Sequence, residues 1–397
     1  MRQSRLPAGG ANIFMKIRGK RAEAEAQGQR LLDLSIGEPK GPALLSARRA
    51  AADVVLSEAE VMHAYQYNDS AAVPDFSRRF VRAHLDTDLP DDLADDGIDY
   101  LPISGIKPIL GLLPLACGCA TGPVKVATMT KPGYPIPADW CAYHVNVGHY
   151  ALTLNAANEF RFGPGDVQSG TNLIMTNYPH NPSGQIADRA WLESLCHYCS
   201  DNDIRLFNDA AYISLSHDDA SITLAQVAVA YPNLSWAEGY TAAKLIGNGT
   251  GWHVGALVGS SDFIADMKEV KGKTDAGFVA PMAAGVLAAL ETDQTGIAEF
   301  REMYRTRLNL LMALMQDCGM RPASQPKAGF YTLWETPKTA FGEAMASGEQ
   351  FNFTMIERTG VVGVHFGDFL RYAVCADVSA IADDLRAAFT EATVSYV

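Results

Sequence analysis

Apolar and polar residues alternate along this chain with two different periods. Residues 12–31 carry a helical pattern of alternating charge, running from Asn12 into Ala–Glu repeats. Leu32–Ile36 is a short apolar run that Gly37-Glu38-Pro39 ends, so it predicts a strand. Helices are predicted over 43–58 and 74–85, with Pro74 suited to the first turn of the second. Asp86–Asp99 predicts an acidic surface loop. Beyond residue 100, short apolar runs become regular. Pro123–Thr128, Thr171–Thr176, Ile204–Phe207, Leu234–Glu238 and His253–Val258 predict strands. Arg189–Asp201 and Leu224–Tyr231 between them predict helical segments. A long continuous helix is predicted over 280–315, then short strands with two helices over 321–397.

Strand–helix alternation implies an α/β domain whose mostly parallel sheet is covered on both faces. The C-terminal texture implies a smaller α+β domain. A lone helix and strand cannot form a core, so the first 44 residues are expected to join it. The expected division is a large domain over 45–290 and a discontinuous small one over 1–44 and 291–397. No internal repeat or low-complexity tract interrupts this plan.

Composition narrows the class. Charged residues are 19% and hydrophobic ones 48% of 397 residues, which suits a compact soluble protein rather than a disordered one. The net charge of −13 argues against nucleic-acid partners and anionic membranes, and leaves any anionic ligand dependent on a local cationic pocket. The apolar stretches Pro108–Cys119 and Phe278–Leu290 are shorter than the ~20 residues that cross a bilayer. The opening MRQSRLPAGGANIF lacks the apolar segment of a secretory signal. Seven scattered cysteines read as reduced thiols, and the expected location is cytoplasmic. Cys196-His197-Tyr198-Cys199 has metal-like spacing but no second ligand pair, so no metal is expected.

Two Gly-rich signals fail as nucleotide sites. Gly272-Lys273-Thr274 has Met267 where a P-loop needs glycine. Gly247-Asn248-Gly249-Thr250-Gly251 lacks the strand–turn–helix setting of a dinucleotide fingerprint. The informative residues follow the predicted strands. Asn177-Tyr178-Pro179-His180-Asn181-Pro182 follows one, Asp209-Ala210-Ala211-Tyr212 the next, and Thr241-Ala242-Ala243-Lys244 another. Ligands bind beyond the carboxyl ends of strands in open α/β sheets. A lysine flanked by Ala-Ala and Leu-Ile is poorly solvated, a setting that favours the neutral amine and Schiff-base chemistry.

This order of motifs resembles the fold-type I pyridoxal-phosphate enzymes, and among them the class I/II aminotransferases, from Leu34-Ser35-Ile36-Gly37-Glu38-Pro39 to Arg371. The resemblance implies pyridoxal 5′-phosphate as cofactor and Lys244 as the Schiff-base lysine and proton carrier. It implies that Asp209 pairs with the pyridine nitrogen, and that Tyr212 and Asn181 bond the phenolic oxygen. Tyr134 would stack on the ring. Ser104, Gly105 and Ile106, with Thr241, would cradle the phosphate at a helix start. Tyr67 would reach the phosphate of a second subunit, which makes a homodimer. Arg371 would grip the substrate α-carboxylate, aided by Gly37 and Asn181.

Three departures stand out. Ala243 replaces the usual serine before the lysine, and Ala210 the usual acidic residue after Asp209. His253 stands where the family has arginine, and it lies nine rather than eight residues beyond Lys244. A histidine is cationic only when protonated, so phosphate retention is expected to weaken as pH rises. The implied activity is ping-pong transfer of an amino group between an L-amino acid and a 2-oxo acid, through a pyridoxamine form. A pyridoxal-phosphate lyase of the β-C–S type, or a catalytically silent amino-acid-binding relative, shares most of these residues. The substrate stays open: Lys271 or Lys273 could serve a dicarboxylate, although solvated surface roles suit them better, while Phe14, Tyr134 and Trp140 suit an apolar side chain.

Overall fold

The computed structural model describes residues 13–67, 70–85, 89, 97–275 and 277–397. The start of the first predicted helix and most of the acidic loop lie outside these residues. Strand β1 (Leu32–Asp33) is shorter than predicted, although the Leu34 N–H still donates to the Val362 carbonyl at 3.0 Å and its side chain enters a hydrophobic core. A large sheet follows, built from β2 (Ile98–Ile103), β3 (Val124–Thr128), β4 (Val147–Ala151), β5 (Leu173–Thr176), β6 (Arg205–Asp209), β7 (Trp236–Thr241) and β8 (Gly255–Ser260). Its order is β2-β8-β7-β6-β5-β3-β4, with β8 antiparallel to both neighbours and the pairs from β7 to β4 parallel.

Period-2 geometry explains the two cores of this sheet. Leu173 and Met175 of β5 pack on one face with Ile106, Phe207 and Phe263. Ile174 between them packs on the other with Leu206, Trp236 and Val286. Helices cover both faces, so the central strands β5, β6 and β7 are buried on both. The edges were the strands not anticipated. β2 contains Asp99 and Pro102, and proline in a sheet is confined mostly to edges. The predicted acidic loop therefore ends before Ile98. β4 reads Val-Gly-His-Tyr-Ala and is partly exposed at the opposite edge.

Other boundaries differ for local reasons. The helix near Pro74 runs Phe76–Arg82 behind Asp75, a residue in the left-handed region at φ 53°, so Pro74 precedes the helix. The long helix over 280–315 is two, Ala280–Thr292 and Gln294–Asp317. Asp293 breaks it at ψ 47° and accepts the Gly296 N–H at 3.0 Å, an N-cap that restarts the helix.

The remaining strands are β9 (Tyr331–Glu335), β10 (Thr339–Ala340), β11 (Glu343–Ala344), β12 (Val361–Val362), β13 (Val364–Phe366) and β14 (Phe369–Ala373). β13, β14 and β9 form an antiparallel sheet, and β1 pairs in parallel with β12. Leu32 and Leu34 thereby join the core of Leu308, Phe330, Trp334, Phe351 and Phe389. Burying each such leucine stabilises the fold by roughly 1.5–3 kcal/mol, which ties the first strand to the last third of the chain. No helix among the described residues is long and apolar enough to cross a membrane.

Candidate functional site

Parallel strands place their carboxyl ends at one edge of the sheet. Register shows how close those ends lie. Ile103 of β2 and Thr241 of β7 both pair with Gly255, and Asp209 of β6 pairs with Gly239. A cavity of about 830 Å³ opens beyond this edge. It collects Ser104, Gly105 and Ile106 after β2, Tyr134 after β3, Asn181 after β5, Asp209 and Tyr212 at β6, and Thr241, Lys244 and His253 around β7. Gly37 and Arg371 close it from the small sheet's side. The structure thus gathers every predicted site residue except Tyr67. Tyr67 is 64% exposed and does not line this chain's cavity. Its neighbours Asn68 and Asp69 lie outside the described residues.

Burial sets the electrostatics. Asp209 is buried, and desolvation pushes its carboxyl up to about 6 against the Ala211 N–H and the nearby Lys244 amine. The Ala211 N–H donates to Asp209 Oδ1 at 3.1 Å. Burial lowers the Lys244 ammonium's pKa, while Cys375, Glu38 and Asp209 act in the opposite direction. Lys244 ends a short turn, Ala242–Lys244, that Thr241 caps by accepting the Ala243 N–H at 3.2 Å. The Thr241 hydroxyl therefore already serves the lysine turn. Tyr134 and Tyr212 are both pushed up, mainly by desolvation.

Gly105 precedes the helix Ile106–Leu110 at φ 94°, with nothing within 4 Å of where a Cβ would stand. Its conformation, a left-handed one that L side chains rarely adopt, lets backbone face the cavity. Gly105 occupies the helix-cap position, not Ser104. His253 is exposed at φ 53°, and the preceding Gly-rich loop puts Gly249 and Thr250 into the cavity wall.

Arg371 is 3% exposed. Its Nη1 donates to Asn181 Oδ1 at 3.0 Å and its Nη2 to the Ser35 carbonyl at 2.9 Å. Its Nε has no partner among the described residues. The guanidinium lies over the Tyr331 ring, 4.2 Å from the centroid. Tyr331 is the cavity residue that sequence reasoning missed most clearly. Its signal was weak: an aromatic two residues after Gly329, at the start of a strand.

Some expectations are corrected. Lys271 is buried and ion-paired to Asp275, so it is no solvated surface lysine, while exposed Lys273 pairs with Glu269 at 3.1 Å. Neither lines the cavity. Phe14 and Tyr134 do, but Trp140 does not; it packs against Gly111. Cys196 and Cys199 are buried in the core, and His197 faces Asp201 at 3.7 Å. Arg18, Glu25 and Lys107 also line the cavity and were not anticipated.

These residues suit a phosphorylated pyridine aldehyde: an amine on a buried turn, a carboxylate in the cavity, phenols beside it and backbone donors at a helix start. Comparison with known proteins agrees. An LL-diaminopimelate aminotransferase of Syntrophobacter fumaroxidans is 27% identical over 388 residues, covering 92% of each chain. One from Moorella thermoacetica is 27% identical over 379 residues, covering 88% of this chain and 86% of the relative. The crystal structure of an aspartate aminotransferase from Rhizobium meliloti shares the fold with a TM-score of 0.85 at 20% identity, covering 99% of this chain and 98% of that one. These names favour an aminotransferase over the lyase and the silent binder. The model of the family "Aminotransferase class I and II", whose members depend on pyridoxal 5′-phosphate, matches residues 29–381. The chain belongs to the class I and II aminotransferases.

Proposed function

We propose that the cavity at the strand ends is the transamination site, with Lys244 as the lysine that carries the cofactor and moves the proton. The observation that carries this reading is Arg371: a buried guanidinium with an unpartnered Nε, lining the same cavity as the Lys244 amine. A buried cation with spare donors suits a carboxylate. Bound pyridoxal 5′-phosphate supplies an electron sink for the bond broken at the substrate α-carbon.

The chain's residues divide the remaining work. Arg371 holds the α-carboxylate, with Asn181 and Gly37 beside it. The Lys244 amine, whose proton burial loosens, takes the α-proton and returns it at the cofactor. Asp209 holds a proton on the cofactor's ring nitrogen, and that pairing offsets the desolvation of its carboxylate. Tyr212 and Asn181 bond the ring oxygen, and Tyr134 stacks. Ser104, Gly105, Ile106, Thr241 and His253 hold the phosphate. Two half-reactions alternate, the first product leaving before the second substrate binds.

The donor carries a second charged group at the far end of its side chain. LL-diaminopimelate, for which the relatives are named, is such a molecule, and Arg18, Lys107 and Glu25 supply charges of both signs along the cavity. The large domain spans 45–290, and 1–44 with 291–397 form the small one, which closes over substrate. The active unit is a cytoplasmic homodimer in which exposed Tyr67 completes the neighbour's phosphate site.

Amino acids added singly to the yellow holoenzyme test this reading. A true donor bleaches the cofactor's visible absorbance and yields its 2-oxo acid. Pyruvate and ammonia released from a cysteine-type substrate without bleaching would instead indicate the lyase. Borohydride should fix the cofactor on the peptide containing Lys244.

A further inference from the structure

Glu238 is a carboxylate with no solvent exposure, six residues before Lys244 on β7. Four donors converge on it. The Leu224 N–H and Asn208 Nδ2 donate to Oε1 at 3.0 and 2.7 Å. The Ala225 N–H and the Tyr240 hydroxyl donate to Oε2 at 2.8 and 2.6 Å. An ionised carboxylate is acceptor-only and satisfies all four; a glutamine would turn its NH₂ group toward two donors.

The Asn208 contact reaches the site. The β5–β6 ladder ends at the Thr176–Asn208 pair. Beyond it, the Asn208 side chain takes the ladder's place: Oδ1 accepts the Tyr178 N–H at 2.9 Å and Nδ2 donates to the Tyr178 carbonyl at 3.0 Å. Glu238 fixes which end of that amide faces which group. The neighbouring Asn177 donates from Nδ2 to the Asp209 carbonyl at 2.9 Å and accepts the Asn181 N–H at 3.0 Å. Asn181 Oδ1 then meets Arg371 Nη1.

We propose that Glu238 is a positioning residue for the substrate-carboxylate site, acting through Asn208 on the Asn177–Asn181 segment and so on the Asn181–Arg371 pair. This rests on reading Arg371 as the carboxylate's partner. A buried network of this kind, fully satisfied, holds one geometry; with one acceptor lost it holds several.

Single-turnover kinetics of the holoenzyme test it, using the donor that bleaches the cofactor fastest in the screen above. Glu238→Gln should raise the half-saturating donor concentration about tenfold and change the maximal rate by less than about twofold. Cofactor content should not change, while the cofactor's pH titration should shift, because Asn181 also bonds its ring oxygen. In an Asn181→Ala background, Glu238→Gln should add less than about twofold. Asn208→Ser should reproduce the affinity loss if Glu238→Gln does not fold. An unchanged half-saturation overturns the proposal. So does a parallel fall in melting temperature, maximal rate and cofactor absorbance, which a merely structural role predicts. Arg371→Leu separates the two readings: if it leaves half-saturation unchanged, the carboxylate site itself is misplaced. If it raises half-saturation while Glu238→Gln does not, only the Glu238 connection fails.

Discussion

The hydroxyls of Tyr212 and Tyr331 stand 3.2 Å apart, joining the end of β6 to the start of β9 across the cavity. Tyr331 also stacks under Arg371 and leaves no room at Gly37, where a Cβ would lie 1.7 Å from its hydroxyl oxygen. One ring therefore positions a phenol, a guanidinium and a backbone at once. Gly37→Ala should push Tyr331 aside and disturb both partners. The expected result is a fall in kcat/KM of roughly 10–100-fold, the scale seen when catalytic groups shift by about 1 Å. Steady-state kinetics against wild type checks this, with cofactor content as the control.

Lys244→Ala should abolish borohydride fixation of the cofactor and slow turnover by roughly 10²–10⁴-fold, since the general base is lost. Peptide mapping after reduction, combined with turnover measured at saturating donor, distinguishes this from unfolding.

Asp209 links pH to the stability of the cofactor-free protein. Its folded pKa, about 6, lies above the ordinary value of 3.8, so the folded state binds the proton more tightly. Its contribution is fully present below 3.8 and is lost as pH rises through about 6. The loss is at most about 3 kcal/mol. Asp209→Asn, which cannot ionise, should flatten this part of the profile while impairing turnover of the holoenzyme. Urea unfolding of both cofactor-free proteins between pH 4 and 7 is the measurement.

His253→Arg should tighten cofactor retention by about tenfold through a permanent charge-assisted contact. The position is already in the left-handed region at φ 53°, so arginine adds little backbone strain beyond that of histidine. Equilibrium dialysis of both proteins checks this; equal retention would place the phosphate elsewhere.

The sequence by itself determined the layers. Leu173, Ile174 and Met175 must face opposite sides of any sheet they enter, and helices must cover both. It also determined that Lys244 and Asn181 follow strands, because chemistry-bearing residues interrupt apolar runs there; Asp209, expected just past a strand, is the last residue of β6. Local cues were weaker at the edges: Asp99 and Pro102 disguise β2, since only an edge strand tolerates them. Asp293 capped a helix inside what looked like one continuous pattern.

Only the tertiary structure decided what meets what. Tyr331 and Arg371 lie far from Tyr212 and Asn181 in sequence, and their contacts depend on how the small sheet docks. Glu238 reads in sequence as one polar residue in a strand, with nothing to show that four donors await it. Periodicity reports the face on which a side chain lies. Hydrogen-bond partners distant in the chain are set by packing, and packing is a property of the whole fold.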